Sequence, residues 1–265
     1  MLGTVRLLFR SVLIVCLTLA YRLALGLETI VRRADEGALA SLWAQRWSRA
    51  FFTLLRVDFE ARGPFVEGGL FYPGTDDSSV GRIFVMNHRS GLDIAVALYV
   101  AEGRLLSRKD LASWPVIGGI ARRLGTVFVD RSSRRSGATA LREMQRVLES
   151  GQGITVFPEG AALGENAVRP FHQGAFNAAR RAGAEIVPIG VAYSNEDALY
   201  RAESFGAHMA RAISLPAMAI RVEVGEPIPE QGRTAVEWRE ETRGAVQQLL
   251  DSARSRLEES SNRAP

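Results

Sequence analysis

The chain has little of what several protein classes need. Its 265 residues hold a single cysteine, Cys16, which excludes an intrachain disulfide and any multi-cysteine metal site. The three histidines, His88, His172 and His208, are too few and too scattered for a histidine-rich metal centre. Lysine is nearly missing: Lys109 stands alone, so the formal net charge of +4 and the pI of about 9.7 rest on arginine. Those arginines are dispersed, with no basic stretch interleaved with aromatics, which argues against nucleic-acid binding. The mild excess suits an anionic membrane or a phosphorylated substrate better. No internal repeat is present. A hydrophobic content of 47% excludes a disordered chain and is ample for a core.

One long apolar run exists, near the N-terminus. Arg6 and Arg10 precede an uncharged stretch over residues 11–21, Arg22 interrupts it, and apolar residues resume. A membrane span needs about 20 apolar residues, a length reached only if Arg22 snorkels or faces protein. A cleaved signal, a spanning anchor and a helix embedded in one leaflet all share this pattern. No small-x-small cleavage site follows, so membrane attachment is the expectation. Residues 34–55 place Leu39, Leu42, Trp43, Trp47, Phe51 and Leu54 at helical spacing. Their tryptophans suit a lipid interface and an ordinary core alike. Residues 1–56 are thus expected to form a membrane-associated helical pair, and 57–265 a separate α/β domain.

Beyond residue 57 the pattern changes. Strands are predicted over 82–87, 105–108, 126–130, 153–157, 185–192 and 219–224, and helices over 92–101, 116–124, 136–150, 174–182 and 235–257. Strands alternating with helices argue for a largely parallel central sheet flanked by helices. Pro188 within an apolar strand suggests a bulge or a sheet edge.

Chemistry gathers at three strand ends. In "NHRSGLD", His88 follows a predicted strand and Asp93 opens a predicted helix. A neutral imidazole accepts a proton near neutral pH, and a carboxylate that fixes its tautomer improves it as a base. Ser90-Gly91 supplies the break that lets residues five apart meet. The same letters fit a helix cap, Ser90 with an acidic residue three further on. Ser90 as a nucleophile lacks the glycine-flanked elbow such serines use. In "LGTVFVDR", Arg131 ends a strand, where it would hold a phosphate or form a surface ion pair. In "FPEG", Pro158 and Gly160 make a stiff turn around Glu159, with Arg169 and His172 downstream near a helix start.

Taken in order, "NH-x4-D", "GTVFVDR", "FPEG" and "VPI" closely resemble the glycerolipid acyltransferase superfamily, typified by the bacterial 1-acylglycerol-3-phosphate acyltransferases, over about residues 82–193. The resemblance implies a general base, His88, oriented by Asp93. It implies acceptor binding around Ser90, Arg131, Pro158, Glu159, Gly160 and Arg169. The co-substrate would be acyl-CoA or acyl-carrier protein, with no bound cofactor or metal. The acceptor would be a lysolipid, 1-acylglycerol 3-phosphate giving phosphatidic acid, at the bacterial cytoplasmic membrane with the catalytic domain facing the cytoplasm. The chain departs from the family pattern where Ala161 and Ala162 follow Gly160, in place of a hydroxyl and an arginine. His172 stands where a lysine is common. That departure leaves open another head group, such as a lyso-ornithine lipid, or a lipid-binding protein without turnover.

Overall fold

The computed structural model describes residues 2–32, 36–113, 117–130, 132–165 and 167–262. Two helices, α1 (Leu2–Arg32) and α2 (Glu36–Leu55), lead into seven strands and six further helices among the described residues. These are β1 (Val57–Arg62), β2 (Ile83–Met86), α3 (Asp93–Val100), β3 (Arg104–Arg108), α4 (Ile117–Arg123), β4 (Val127–Val129), α5 (Arg134–Glu149), β5 (Ile154–Val156), α6 (Gly174–Ala182), β6 (Ile186–Tyr193), α7 (Phe205–Ser214), β7 (Met218–Val224) and α8 (Ala235–Asn262). The strands form one sheet in the order β1-β7-β6-β2-β5-β3-β4. Every pairing is parallel except β6 with β7.

Alternation along the strands builds two cores. Phe84 and Met86 of β2 face the cluster made with α2, α3 and α7, while Ile83 and Val85 face the cluster made with α5, α6 and α8. A strand covered on both sides has no polar face, which is why β2 and β5 are buried throughout. β2 lies between β5 and β6, so its carboxyl end opens at the centre of the sheet. Ligands of open α/β sheets bind at such ends.

Pro188 does not mark an edge or a bulge. It lies in β6, an interior strand, opposite Val85 of β2. Its carbonyl accepts from Gly225 N at 2.9 Å, and the antiparallel ladder with β7 begins at the next residue, Ile189. The missing N–H therefore costs only the reciprocal bond of the Pro188–Gly225 pair, where that ladder ends.

The N-terminal helices pack on the α/β unit. The buried Arg10 of α1 gives Nη1 to the carbonyls of Ile213 (2.8 Å) and Leu215 (2.5 Å), and Nη2 to Leu55 O (2.9 Å). Arg6 gives Nη1 to Ser214 O at 2.8 Å. Two arginines of α1 thus satisfy carbonyls at the C-terminal ends of α7 and α2, where cations are favoured. The opposite side of α1 is an exposed apolar stripe of Leu8, Val12, Val15, Leu19, Leu23, Leu27 and Ile30. At 31 residues α1 is long and apolar enough to cross a membrane.

Candidate active site

The turn after β2 is held at every backbone amide. Asn87 continues the ladder with its side chain, donating Nδ2 to Val191 O (3.0 Å) and accepting from Val191 N (2.8 Å). His88 N donates to Glu159 Oε1 at 2.7 Å, and His88 O accepts from Leu163 N. Arg89 N and Ser90 N both donate to Asp93 Oδ2, at 2.7 and 2.8 Å. Gly91 N donates to His208 Nε2 at 2.9 Å, and Leu92 N to Ser90 Oγ at 3.2 Å. Buried amides need such partners, and their number leaves this loop one geometry.

That geometry brings His88 and Asp93 together. His88 Nδ1 lies 2.7 Å from Asp93 Oδ2, and the Asp93 side chain is fully buried. Asp93 does not cap α3; it points back across the turn. Its other oxygen, Oδ1, accepts from Tyr193 OH at 2.5 Å. Four donors thereby offset the cost of burying the carboxylate. Burial, then the charge of Asp93 and the bond to it, push the Tyr193 phenol well above its ordinary value, so it stays a donor. An ionised carboxylate at Nδ1 requires the proton there, so Nε2 carries the lone pair. The ring stacks on Phe157 with centroids 4.3 Å apart, keeps 18% of its side-chain surface exposed, and makes no hydrogen bond through Nε2 among the described residues. A partly open imidazole with its Nε2 lone pair unengaged among the described residues can accept a proton from a hydroxyl.

The other candidates divide. Glu159 is a brace: Oε1 holds His88 N and Oε2 holds Arg169 N at 3.0 Å. The Arg169 guanidinium turns onto Ala161 O and lies 3.8 Å from Glu159 Oε2. Pro158 is buried, and its carbonyl accepts from His172 N at 2.8 Å. Gly160 has φ +83°, and a Cβ there would sit 2.6 Å from His172 Nε2, so the turn needs glycine twice over. Ser90 is fully buried, with its hydroxyl 3.2 Å from His208 Nε2. Arg131 lies outside the described residues. Sequence reasoning missed Asn87, Phe157, Tyr193 and His208. Only Asn87 and Phe157 adjoin motifs that could have flagged them.

An apolar cavity of about 500 Å³ begins at this turn. Gly91 and Leu92 line it, with Ile14, Thr18 and Leu25 of α1, Trp43 and Trp47 of α2, Leu98 of α3, and Phe205 and Met209 of α7. Trp47 gives Nε1 to Thr18 Oγ1 (3.1 Å) and Trp43 gives Nε1 to Glu28 (2.7 Å), so both tryptophans face α1. The lining follows α1 from Ile14 to Leu25, about 16 Å at 1.5 Å per residue. It is extended along α1 and almost without polar surface, which suits a hydrocarbon chain.

A histidine–carboxylate pair on a turn that also lines an apolar cavity is an arrangement that acyl-transfer chemistry could use. Residues 74–192 match the family model described as Acyltransferase. The chain is 30% identical over 193 residues to a lyso-ornithine lipid O-acyltransferase of Brucella abortus, covering 64% of this chain and 72% of that protein. It is 32% identical over 116 residues to a 1-acyl-sn-glycerol-3-phosphate acyltransferase of Neisseria gonorrhoeae, covering 44% of this chain and 46% of that one. The matched stretch thus spans about half the length of the neisserial relative. The fold matches the crystal structure of a 1-acyl-sn-glycerophosphate acyltransferase from Thermotoga maritima, with TM-score 0.66, 21% identity, and coverage of 97% of this chain and 99% of that one. The chain belongs to the glycerolipid acyltransferase superfamily.

Proposed function

We propose that the protein is a membrane-anchored O-acyltransferase that moves a fatty acyl group from acyl-CoA or acyl-carrier protein to the free hydroxyl of a lysolipid. The observation that carries this is the bonded His88–Asp93 pair, held on the same turn whose Gly91 and Leu92 line the apolar cavity. His88 Nε2 takes the proton of the acceptor hydroxyl while Asp93 stabilises the imidazolium that forms. The oxygen attacks the thioester carbonyl. The tetrahedral intermediate collapses, the C–S bond breaks, and the thiolate leaves with the proton returned from His88. No acyl-enzyme and no bound cofactor take part. The exposed stripe of α1 would contact lipid, holding the site where lysolipids reside. In a bacterium the cytoplasmic membrane, with the catalytic unit on the cytoplasmic side, gives access to both donors.

The leading acceptor is 1-acylglycerol 3-phosphate. A specific observation favours a second, lyso-ornithine lipid. Ala161 and Ala162 replace polar groups of the family turn, and Arg169 is engaged inward by Ala161 O and Glu159 rather than held open. The deciding experiment is acyl transfer by purified protein in detergent, with labelled acyl-CoA and acyl-carrier protein against lysophosphatidic acid, glycerol 3-phosphate, other lysophospholipids and lyso-ornithine lipid. Turnover with one lysolipid, lost by at least about a hundredfold in His88→Ala, is expected. Near-normal turnover by His88→Ala would refute the mechanism. Transfer to no acceptor at all would favour a lipid-binding protein, and faster fatty-acid release without lysolipid a hydrolase.

A further inference from the structure

The proposed mechanism uses one histidine of the turn and leaves a second unexplained. We infer that His208, as a neutral imidazole protonated on Nδ1, is a positioning residue for acyl transfer: it fixes the turn from Ser90 to Leu92 that aims His88. This rests on the acyl-transfer reading above.

Three observations carry it. First, Gly91 N is the amide of the turn whose acceptor comes from a distant helix, α7; the others are held by Glu159, Asp93 or Ser90. Second, an amide can only donate. At 2.9 Å from Gly91 N, and 3.2 Å from Ser90 Oγ, His208 Nε2 must carry its lone pair, so the proton is on Nδ1. Third, α7 touches the turn directly. A Cβ on Gly91 would lie 2.6 Å from Met209 Sδ, 2.9 Å from Phe205 Cε2 and 3.2 Å from His208 Cδ2. Phe205 and Met209 also line the cavity, so an acyl chain there would rest on the helix face that grips the turn.

The surroundings suit one protonation state. His208 is fully buried. Asp93 and Ser90 face it from the turn, and the Tyr200 ring packs 4.8 Å away, centroid to centroid. On the other side Glu203 Oε1 lies 3.6 Å from Nδ1, and Arg211 Nη2, paired with Glu203, lies 3.4 Å from it. Burial and then Arg211 hold His208 below its ordinary value, against weaker opposition from Glu203 and Asp93. Protonation of Nε2 would set one N–H against another and break the grip. Ser90, His208 and Glu203 stand in the order of a nucleophile, base and acid, but Ser90 Oγ is buried and already accepts from Leu92 N.

The test compares His208→Leu, which removes the acceptor, with His208→Gln, whose side-chain oxygen restores one near the Nε2 position. Both are screened by thermal unfolding in detergent. His208→Leu should lower kcat on the order of 10- to 100-fold, as displacing a base by about an ångström does, with KM for both substrates little changed. His208→Gln should recover most of kcat. Below the ordinary histidine value the wild type should show an added loss of kcat that His208→Gln lacks, because protonating His208 breaks its bond to Gly91 N. Hydrogen exchange of the peptide over residues 87–93 should quicken in His208→Leu and stay slow in His208→Gln. Wild-type kcat in His208→Leu, equal losses in both variants, or an acyl group trapped on Ser90 would overturn the inference. If the wild-type chain turned over no acceptor while the exchange difference held, the acyl-transfer reading would fail and the grip on the turn would stand.

Discussion

Asp93 is a carboxylate with no exposed surface and, among the described residues, no arginine or lysine bonded to it. Four hydrogen bonds compensate its burial, those of His88, Arg89 N, Ser90 N and Tyr193. Three come from its own turn. The fourth comes from the end of β6 and fixes the carboxylate plane relative to the sheet. Tyr193→Phe keeps the ring and removes that donor. We expect kcat to fall about tenfold, equivalent to about 1.4 kcal/mol, within the worth of a hydrogen bond to a charged group. The KM for acyl-CoA should hardly move. Unchanged kcat would mean that the backbone amides suffice. A pH effect follows as well. The buried phenol resists ionisation while the unfolded one ionises near its ordinary value of about 10. The folded state then binds more protons, so this contribution is present below about pH 10 and is lost as pH rises beyond it. Chemical-denaturation curves of Tyr193→Phe should show a shallower alkaline decline than wild type.

At the scale of elements, α7 joins the N-terminal helices to the turn that carries His88. Its C-terminal carbonyls hold Arg6 and Arg10 of α1, and its buried face holds the turn through His208. Arg10→Met keeps the apolar stem and removes the guanidinium from the ends of α2 and α7. The expected loss is about 1.5–3 kcal/mol, the scale of a charge-assisted hydrogen bond. For a chain of this size that lowers the unfolding midpoint by roughly 4–10 °C in detergent. An unchanged midpoint would show that α1 docks by apolar contact alone. Neither the clasp nor the helix receiving it was legible in the sequence. "SFGAHMARAISLP" does place Phe205, Met209, Ala212 and Ile213 at helical spacing, but over only ten residues broken by Gly206, His208 and Arg211; its other signals are Ser204, whose side chain accepts from Ala207 N, and Pro216 beyond the end. β1 was missed although Val57, Phe59 and Ala61 alternate with Asp58, Glu60 and Arg62, the period-two pattern of an edge strand; its six residues follow α2 after Arg56 alone, with no turn cluster to mark the change. The buried strands β2, β5 and β6 could be read because a parallel sheet covered on both faces writes itself as unbroken apolar runs. His88 and Asp93 were legible for a local reason: five residues of chain and one break bring them together. Tyr193 and His208 reach the same turn from 100 and 117 residues away, and only the folded sheet sets those distances.

For the whole molecule, the cavity is shared among parts that are far apart in the chain. α1 and α2 form one wall, α3 and the turn another, and α7, β3 and the end of α4 close it. The site is therefore complete only when the N-terminal helices are docked on the α/β unit, and the same helices carry the exposed apolar stripe. Acyl-chain selectivity would then be set by how far the cavity runs along α1. Ala40 lies at the end remote from α7, buried in a small cluster with Leu25 and Leu39, against Trp43 and Leu124. Ala40→Phe would fill that end. Some loss of stability is expected, about 1–3 kcal/mol for overpacking. The diagnostic result is selective: kcat/KM should drop for long-chain acyl-CoA and hold for short-chain donors, since only long chains would reach the added ring. A drop equal across all chain lengths would show damage to packing instead, and would refute the assignment of this cavity to the acyl chain.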